Sequence, residues 1–293
     1  MTPTVLTIAG SDSGGGAGIQ ADLKAFARCG VHGTCAITAV TAQNTIGVTA
    51  IHHVPPEIVL AQVRAVVSDI GVDAVKVGML GTAEVALAVA AALDELPAGT
   101  PVVVDPVMVA ESGARLLAPD AQRALVQEIL PRASVLTPNL PEARALAGHV
   151  PGVADGEAAD GEAADGGEAA AEQTAAADED AEAEALARAV LALGPRAVVL
   201  TGGHRARAVD LFVDREGATV EIDGERHPDG AAHGSGCTHS SVLAAQLALG
   251  HSPLQAARTA RCMAGAAVAG GLRDVGAGPG PVDVLGLARM RAG

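Results

Sequence analysis

Val5-Leu6-Thr7-Ile8-Ala9 runs without a break into Gly10-Ser11-Asp12-Ser13-Gly14-Gly15-Gly16-Ala17-Gly18 and then into Ile19–Cys29. The first five residues read as a short buried strand, the glycines as a loop, and the last stretch as a helix. Strand, loop and helix in that order open a βαβ unit. The alternation then recurs along the chain. Cys35–Thr41, Ala74–Val77, Val102–Asp105, Val135–Thr137 and Ala197–Thr201 read as strands. Between them lie helical patterns over Pro55–Ile70, Thr82–Leu96, Pro119–Leu130, Pro141–Ala147 and Ala185–Leu193. Val209–Asp214 and Thr219–Ile222 add two more strands, and helices over Thr238–Leu249 and Pro253–Gly270 close the chain. Such spacing predicts one α/β domain over residues 1–293 with a largely parallel sheet. Its functional loops should lie at the carboxyl ends of the strands.

The glycine loop is not a dinucleotide or P-loop fingerprint. Started at Gly14, Gly-x-Gly-x-x-Gly would need glycine at position 19, which is Ile19, and no Gly-Lys-Ser/Thr triplet exists. The loop does let a small ligand approach the backbone closely.

The chain has 293 residues, 49% of them hydrophobic, with two Phe, no Trp and no Tyr. Its core is therefore aliphatic, and a ring-shaped ligand would be sandwiched by aliphatic or Met side chains. Cys29, Cys35, Cys237 and Cys262 form no Cys-x-x-Cys pair, which argues against a zinc ribbon or redox dithiol. Met1-Thr2-Pro3-Thr4 shows no basic leader region, and no uninterrupted apolar run is long enough to span a bilayer. The expectation is a cytoplasmic protein with no membrane partner. Net charge is −15, but Gly152–Glu184 holds twelve Asp and Glu and no Lys or Arg, so the remainder carries only −3. No basic face for nucleic acid emerges. The acidic stretch, low in complexity and almost free of large apolar residues, is expected to be a disordered insertion at 152–184 whose last part frays into the following helix.

His233-Gly234-Ser235-Gly236-Cys237-Thr238 is the segment richest in chemistry. A Gly-Ser-Gly turn opening a helix presents free backbone N–H groups at the positive end of the dipole, an anion site. A thiol in that first turn, Cys237, is expected to have its pKa pulled down. Three strand ends should crowd the same sheet edge. Asp105 follows Val102-Val103-Val104. Asn139 and Glu142 stand at a strand-to-helix junction, where they also suit a capping box. Leu200-Thr201-Gly202-Gly203-His204 ends a third strand. Carboxylates beside an anion site suggest a divalent cation bridging to phosphate.

Several of these segments, in this order, resemble the hydroxymethylpyrimidine/phosphomethylpyrimidine kinases of thiamine biosynthesis. They are Leu6-Thr-Ile-Ala-Gly-Ser-Asp-Ser-Gly-Gly-Gly-Ala-Gly-Ile-Gln-Ala-Asp-Leu-Lys24, Thr38-Ala-Val-Thr-Ala-Gln-Asn-Thr45, Lys76-Val-Gly-Met-Leu80, Val104-Asp-Pro-Val-Met108, Thr137-Pro-Asn-Leu-Pro-Glu-Ala143 and His233-Gly-Ser-Gly-Cys-Thr238. The resemblance spans Val5 to Val282 except for the acidic insertion. It implies a ribokinase-like three-layer α/β/α fold with a central, mainly parallel sheet, commonly a homodimer. It further implies ATP and Mg²⁺, and phosphorylation of 4-amino-5-hydroxymethyl-2-methylpyrimidine and then of its monophosphate.

By the same resemblance, Gln43 reads the pyrimidine edge and Gly10, Ala17, Met79 and Val107 line its pocket. Cys237 faces the hydroxymethyl group, whose proton it would accept or polarise, where many ribokinase relatives have Asp. Gly234, Ser235 and Gly236 form the anion hole. Asp105 and Glu142 organise Mg²⁺, and Asn139, Thr201 and Gly203 lie on the ATP side. One departure stands out: many members have Lys, which reaches the ATP phosphates, where this chain has Thr201. His204, Arg205 and Arg207 are the nearest cations in sequence. Two rival readings are a pyridoxal kinase of the same fold and a non-catalytic sensor of pyrimidine phosphate.

Overall fold

Strand β1 (Thr4–Ser11) is buried from Val5 to Gly10, with Leu6 and Ile8 packed in one apolar layer and Val5 in another. A strand covered on both faces must lie inside the sheet. In the computed structural model, which describes residues 2–109, 116–150, 168–204, 207–228 and 230–290, it does. α1 (Gly18–Arg28) returns the chain to β2 (His32–Gln43), parallel to β1 on one side. β3 (Val48–His53) folds back antiparallel on β2 and ends the sheet. On the other side of β1 come β4 (Ala74–Val77), β5 (Val102–Val104), β6 (Val135–Leu136) and β7 (Ala197–Leu200), all parallel. β8 (Asp210–Asp214) and β9 (Thr219–Ile222) continue antiparallel, so the order is β3-β2-β1-β4-β5-β6-β7-β8-β9.

Two helical layers complete the sandwich. α2 (Pro56–Asp69), α3 (Ala83–Asp94), α4 (Pro119–Ala124), α5 (Leu140–Ala147) and α6 (Glu168–Leu191) bury Val59, Val85, Ala121, Leu146 and Ala187 against Leu6, Val77, Val104 and Leu136. On the opposite face α1, α7 (Ser235–Ala248) and α8 (Pro253–Ala269) bury Phe26, Leu243 and Ala260 against Val5, Val103, Val135 and Val199. The split of Val102 and Val104 from Val103 follows the two-residue period of a strand. The observed architecture is the expected three-layer α/β/α sandwich with a mainly parallel sheet.

Two expectations are corrected. β3 was not anticipated, because Val48-Thr49-Ala50-Ile51-His52-His53 is mostly exposed and lacks a buried face to pattern it. The helix expected to start near Ala185 begins at Glu168, so the disordered insertion assigned to 152–184 is helical from 168 onward. Ala, Glu and Gln are strong helix formers, and Ala183, Ala187 and Val190 share one buried face. Arg144 Nε on α5 holds Glu182 Oε1 at 2.7 Å. The rest of that segment, 152–167, lies outside the described residues.

Candidate active site

The carboxyl ends of the parallel strands open into a cleft of about 390 Å³. All fourteen residues singled out above line it: Gly10, Ala17, Gln43, Met79, Asp105 and Val107; Asn139, Glu142, Thr201 and Gly203; and Gly234, Ser235, Gly236 and Cys237.

The mouth of α7 forms as the sequence suggests, with one refinement. Gly234 is its N-cap at φ 83°, a left-handed conformation that glycine adopts without strain. The Ser235 N–H is already used in a turn to the Ala232 carbonyl at 2.9 Å, and the Thr238 N–H closes the first turn on Gly234 O. The amides of Gly236 and Cys237, too early in the helix for an intrahelical partner, are therefore the donors left at the mouth of the helix.

Cys237 departs from expectation in sign. Burial pushes its thiol up to about 12; Lys76 and the Gly18 N–H pull it down, but the Asp105 and Asp22 carboxylates oppose them. The helix dipole acts on a partly buried thiol with two carboxylates close by, and it loses.

Beneath that turn lies a buried ionic network that no local motif announced. Lys76, fully buried in β4, holds Asp22 Oδ1 at 3.0 Å and Asp105 Oδ2 at 3.8 Å. Burial alone would lower the Lys76 pKa, but the Asp22, Cys237 and Asp105 charges more than offset it and hold it above the ordinary value. Asp22 also accepts from Thr7 Oγ1 at 2.6 Å and Ser241 Oγ at 2.7 Å, while Ser240 Oγ donates to Asp105 at 2.9 Å. Burial raises the Asp105 pKa, partly countered by Lys76 and the Ser240 hydroxyl.

Asn139 and Glu142 form the capping box that opens α5: Asn139 Oδ1 takes the Glu142 N–H and Glu142 Oε2 takes the Asn139 N–H, both at 2.9 Å. They nevertheless face the cleft. Burial, with Asp105 adding repulsion, pushes the Glu142 carboxyl up to about 8. The sign follows directly. Below the ordinary value of 4.5 the proton costs nothing; stability is then lost as pH rises to about 8, beyond which the folded protein keeps a buried charge. Glu142→Gln retains an acceptor for the cap and removes that charge. In metal-free buffer it should melt above the parent at about pH 9 and nearly with it at about pH 5, while turnover falls. Melting curves at the two pH values check this; a Gln variant less stable at both would overturn it.

Beside the capping box, Thr201 bridges to Asn139 and its N–H meets Pro138 O at 2.8 Å. Asp210, anticipated by no motif, accepts the Gly202 N–H at 2.8 Å and pairs with His239 Nε2 at 3.0 Å and Arg261 at 3.7 Å. Arg207 is no substitute for a cation at 201. It is paired with Asp180 at 2.6 Å and Glu221 at 3.0 Å, away from the residues lining the cleft. Arg205 lies outside the described residues. Among the described residues, Arg226 and Arg261 are the arginines that line the cleft.

Comparison with known proteins places this geometry. The family described as phosphomethylpyrimidine kinase matches over residues 12–168 and 164–283. The chain is 44% identical over 285 residues to the hydroxymethylpyrimidine/phosphomethylpyrimidine kinase of Rhizobium meliloti, covering 96% of this chain and 97% of that protein. It is 42% identical over 282 residues to a thiamine biosynthesis bifunctional protein of Geobacter sulfurreducens, covering 96% of this chain and 52% of that protein. A pyridoxal kinase from Staphylococcus aureus, solved in complex with AMP-PCP and pyridoxal, matches with a TM-score of 0.77 at 29% identity over 99% of this chain and 96% of that one. With a family match across most of its length and a curated relative 44% identical over 96% of the chain, the chain belongs to the phosphomethylpyrimidine kinase family of phosphotransferases.

Proposed function

We propose that the chain transfers the γ-phosphoryl group of ATP to hydroxymethylpyrimidine and then to its monophosphate, in thiamine biosynthesis. One observation carries the reading: the N-terminal glycine loop, the mouth of α7 with Cys237, and the Asp105 and Glu142 carboxylates all line one cleft at the carboxyl ends of the parallel strands. The acceptor would lie under that loop, against Met79 and Val107, with its amino-pyrimidine edge on Gln43. The Thr41 hydroxyl, 3.2 Å from Gln43 Oε1, leaves the Gln43 amide N–H groups for that edge. Gly236 and Cys237 amides would receive the charge that develops on the transferred group. Asn139, Thr201 and Gly203 would face the nucleotide.

Asp105 and Glu142 suit Mg²⁺. Among the described residues no cluster of three or more His, Cys, Asp or Glu could enclose a metal. Mg²⁺ characteristically takes one or two carboxylates and completes its shell with water and phosphate. The Asp105 charge helps raise Glu142, a repulsion a divalent cation would relieve. When bound, the ion would neutralise charge on the phosphates.

Phosphoryl transfer is loose, so proton removal comes late and positioning dominates. Cys237, a thiol at neutral pH, orients the hydroxymethyl oxygen rather than attacking its proton as a thiolate. Two outcomes are expected. Iodoacetamide at about pH 7.5 should alkylate the exposed Cys262 and spare Cys237, read by peptide mass spectrometry. Cys237→Ala should lower kcat by about tenfold, short of the 10²–10⁴-fold typical of a general base. Rapid Cys237 labelling, or a loss beyond about 10³-fold, would restore the thiolate base.

The decisive assay supplies ATP, Mg²⁺ and hydroxymethylpyrimidine and follows ADP release and product phosphorus resonances. Absence of turnover would sink the enzyme reading, and preference for pyridoxal in competition would favour the rival suggested by the structural match. No helix among the described residues is long and apolar enough to cross a membrane. A homodimer would use the β2–β3 hairpin, where Val40, Ile46 and Ile51 are exposed.

A further inference from the structure

Asp12 and His233 lie 221 residues apart, yet His233 Nε2 stands 3.0 Å from Asp12 Oδ2. Both are buried, Asp12 at 2% and His233 at 8% exposure. The carboxylate does more than accept this contact. Its Oδ1 takes the Gly14 N–H at 2.7 Å, and its Oδ2 takes the Gly16 and Ala17 N–H groups at 3.0 and 2.8 Å. Asp12 thus fixes the shape of the acceptor loop and joins it to the residue immediately before Gly234.

The two loops are in backbone contact there. A Cβ on Gly234 would overlap the Gly16 carbonyl oxygen, and a Cβ on Gly16 would overlap the His233 ring. His233 is held from behind as well, because its carbonyl accepts the Val282 N–H at 3.1 Å. Neither residue touches the transferred atoms in the reading above; they touch the two walls between which transfer would occur.

We infer that Asp12 and His233 are positioning residues that set the separation between the acceptor hydroxyl and the amides at the mouth of α7. The inference rests on the proposed kinase reading. A displacement of about 1 Å between reacting groups costs on the order of 10²-fold in rate, so a single bridge between the walls acts on kcat. Because each wall keeps its own contacts with ligand, the Michaelis constants change little. Gln carries an N–H donor near the place of His Nε2 and restores the bridge, whereas Leu cannot.

The test is a cycle of Asp12→Asn, His233→Leu and their combination, with His233→Gln as the rescue. His233→Leu should lower kcat by about 10²-fold, leave KM for ATP within about threefold, and raise hydrogen exchange at 14–18 and 234–238 together. His233→Gln should recover most of the rate and the protection. The double variant should be no slower than the slower single one, since both remove the same contact. Multiplicative losses, an effect on KM alone, or exchange rising at one segment only would overturn the inference. His233→Leu and His233→Gln give the answer alone if Asp12→Asn does not fold. If the parent shows no turnover, the kinase reading fails, and with both exchange segments unlinked the bridge fails separately.

Discussion

Lys76→Met is expected to lower the unfolding free energy by about 3–5 kcal/mol, the usual cost of removing one partner from a buried ion pair. The side chain is fully buried, with Asp22 at 3.0 Å and Asp105 at 3.8 Å. Met fills much of the same volume, so the loss is electrostatic rather than a cavity. It leaves two buried carboxylates facing each other and the Cys237 sulfur. Asp22 keeps the Thr7 and Ser241 hydroxyls, which reduces its penalty without cancelling it. The Lys76→Met, Asp22→Asn double variant should recover about half of the loss, because one uncompensated charge disappears. The folded Lys76 pKa lies above the ordinary 10.5, so the stabilisation is fully present below that value and fades only as pH rises past it. The penalty should therefore be constant between about pH 6 and 9. Urea unfolding of the three proteins measures it; a loss under about 1 kcal/mol would show that water or relaxation replaces the pair.

The sequence carried the sheet and the cleft in different ways. The parallel strands were legible because burial on both faces demands continuous apolar runs, as in Val102-Val103-Val104. The cleft was legible because its residues sit at the ends of those strands, where fold geometry gathers them regardless of side-chain detail. What failed was any rule that looked only at neighbours in sequence. The Cys237 expectation came from its helix position, while the charged groups that act on its pKa arrive from β4, the residue just after β5, and α1. Lys76 did leave a trace, a lysine inside Ala74-Val75-Lys76-Val77, since a charge in a buried strand needs a partner. Its partner, Asp22, is 54 residues away on another element, and no periodicity links the two. The same holds for Asp12 and His233. Asn139 and Glu142 show the opposite case: the capping box is local and real, yet both residues also line the cleft, so the structural reading did not exclude the functional one. The end of the acidic segment is helical further back than composition suggests, because Ala183, Ala187 and Val190 give α6 a buried face.

Gly234→Ala should lower kcat by about 10²–10³-fold, the range for loss of an oxyanion donor. Two costs meet at this position. Gly234 sits at φ 83°, a conformation that costs a residue with a Cβ roughly 1–2 kcal/mol. The added methyl would also occupy the place of the Gly16 carbonyl oxygen. The chain can escape only by turning the start of α7 or by pushing the acceptor loop outward. The first re-aims the Gly236 and Cys237 amides, and the second moves the acceptor away from them. Either route separates the acceptor from the charge-stabilising donors while leaving Gln43, Asn139 and Thr201 in place, so KM values should shift far less than kcat. Gly236→Ala separates the two costs, because a Cβ there meets no protein atom within 4 Å and leaves the turn at 234 in place; it should lose less than Gly234→Ala, and its loss reports only the methyl in the cleft. A Gly234→Ala enzyme within about threefold of the parent kcat would show that the turn at 234 can relax without moving either wall, and the helix-mouth account of charge stabilisation would then be wrong.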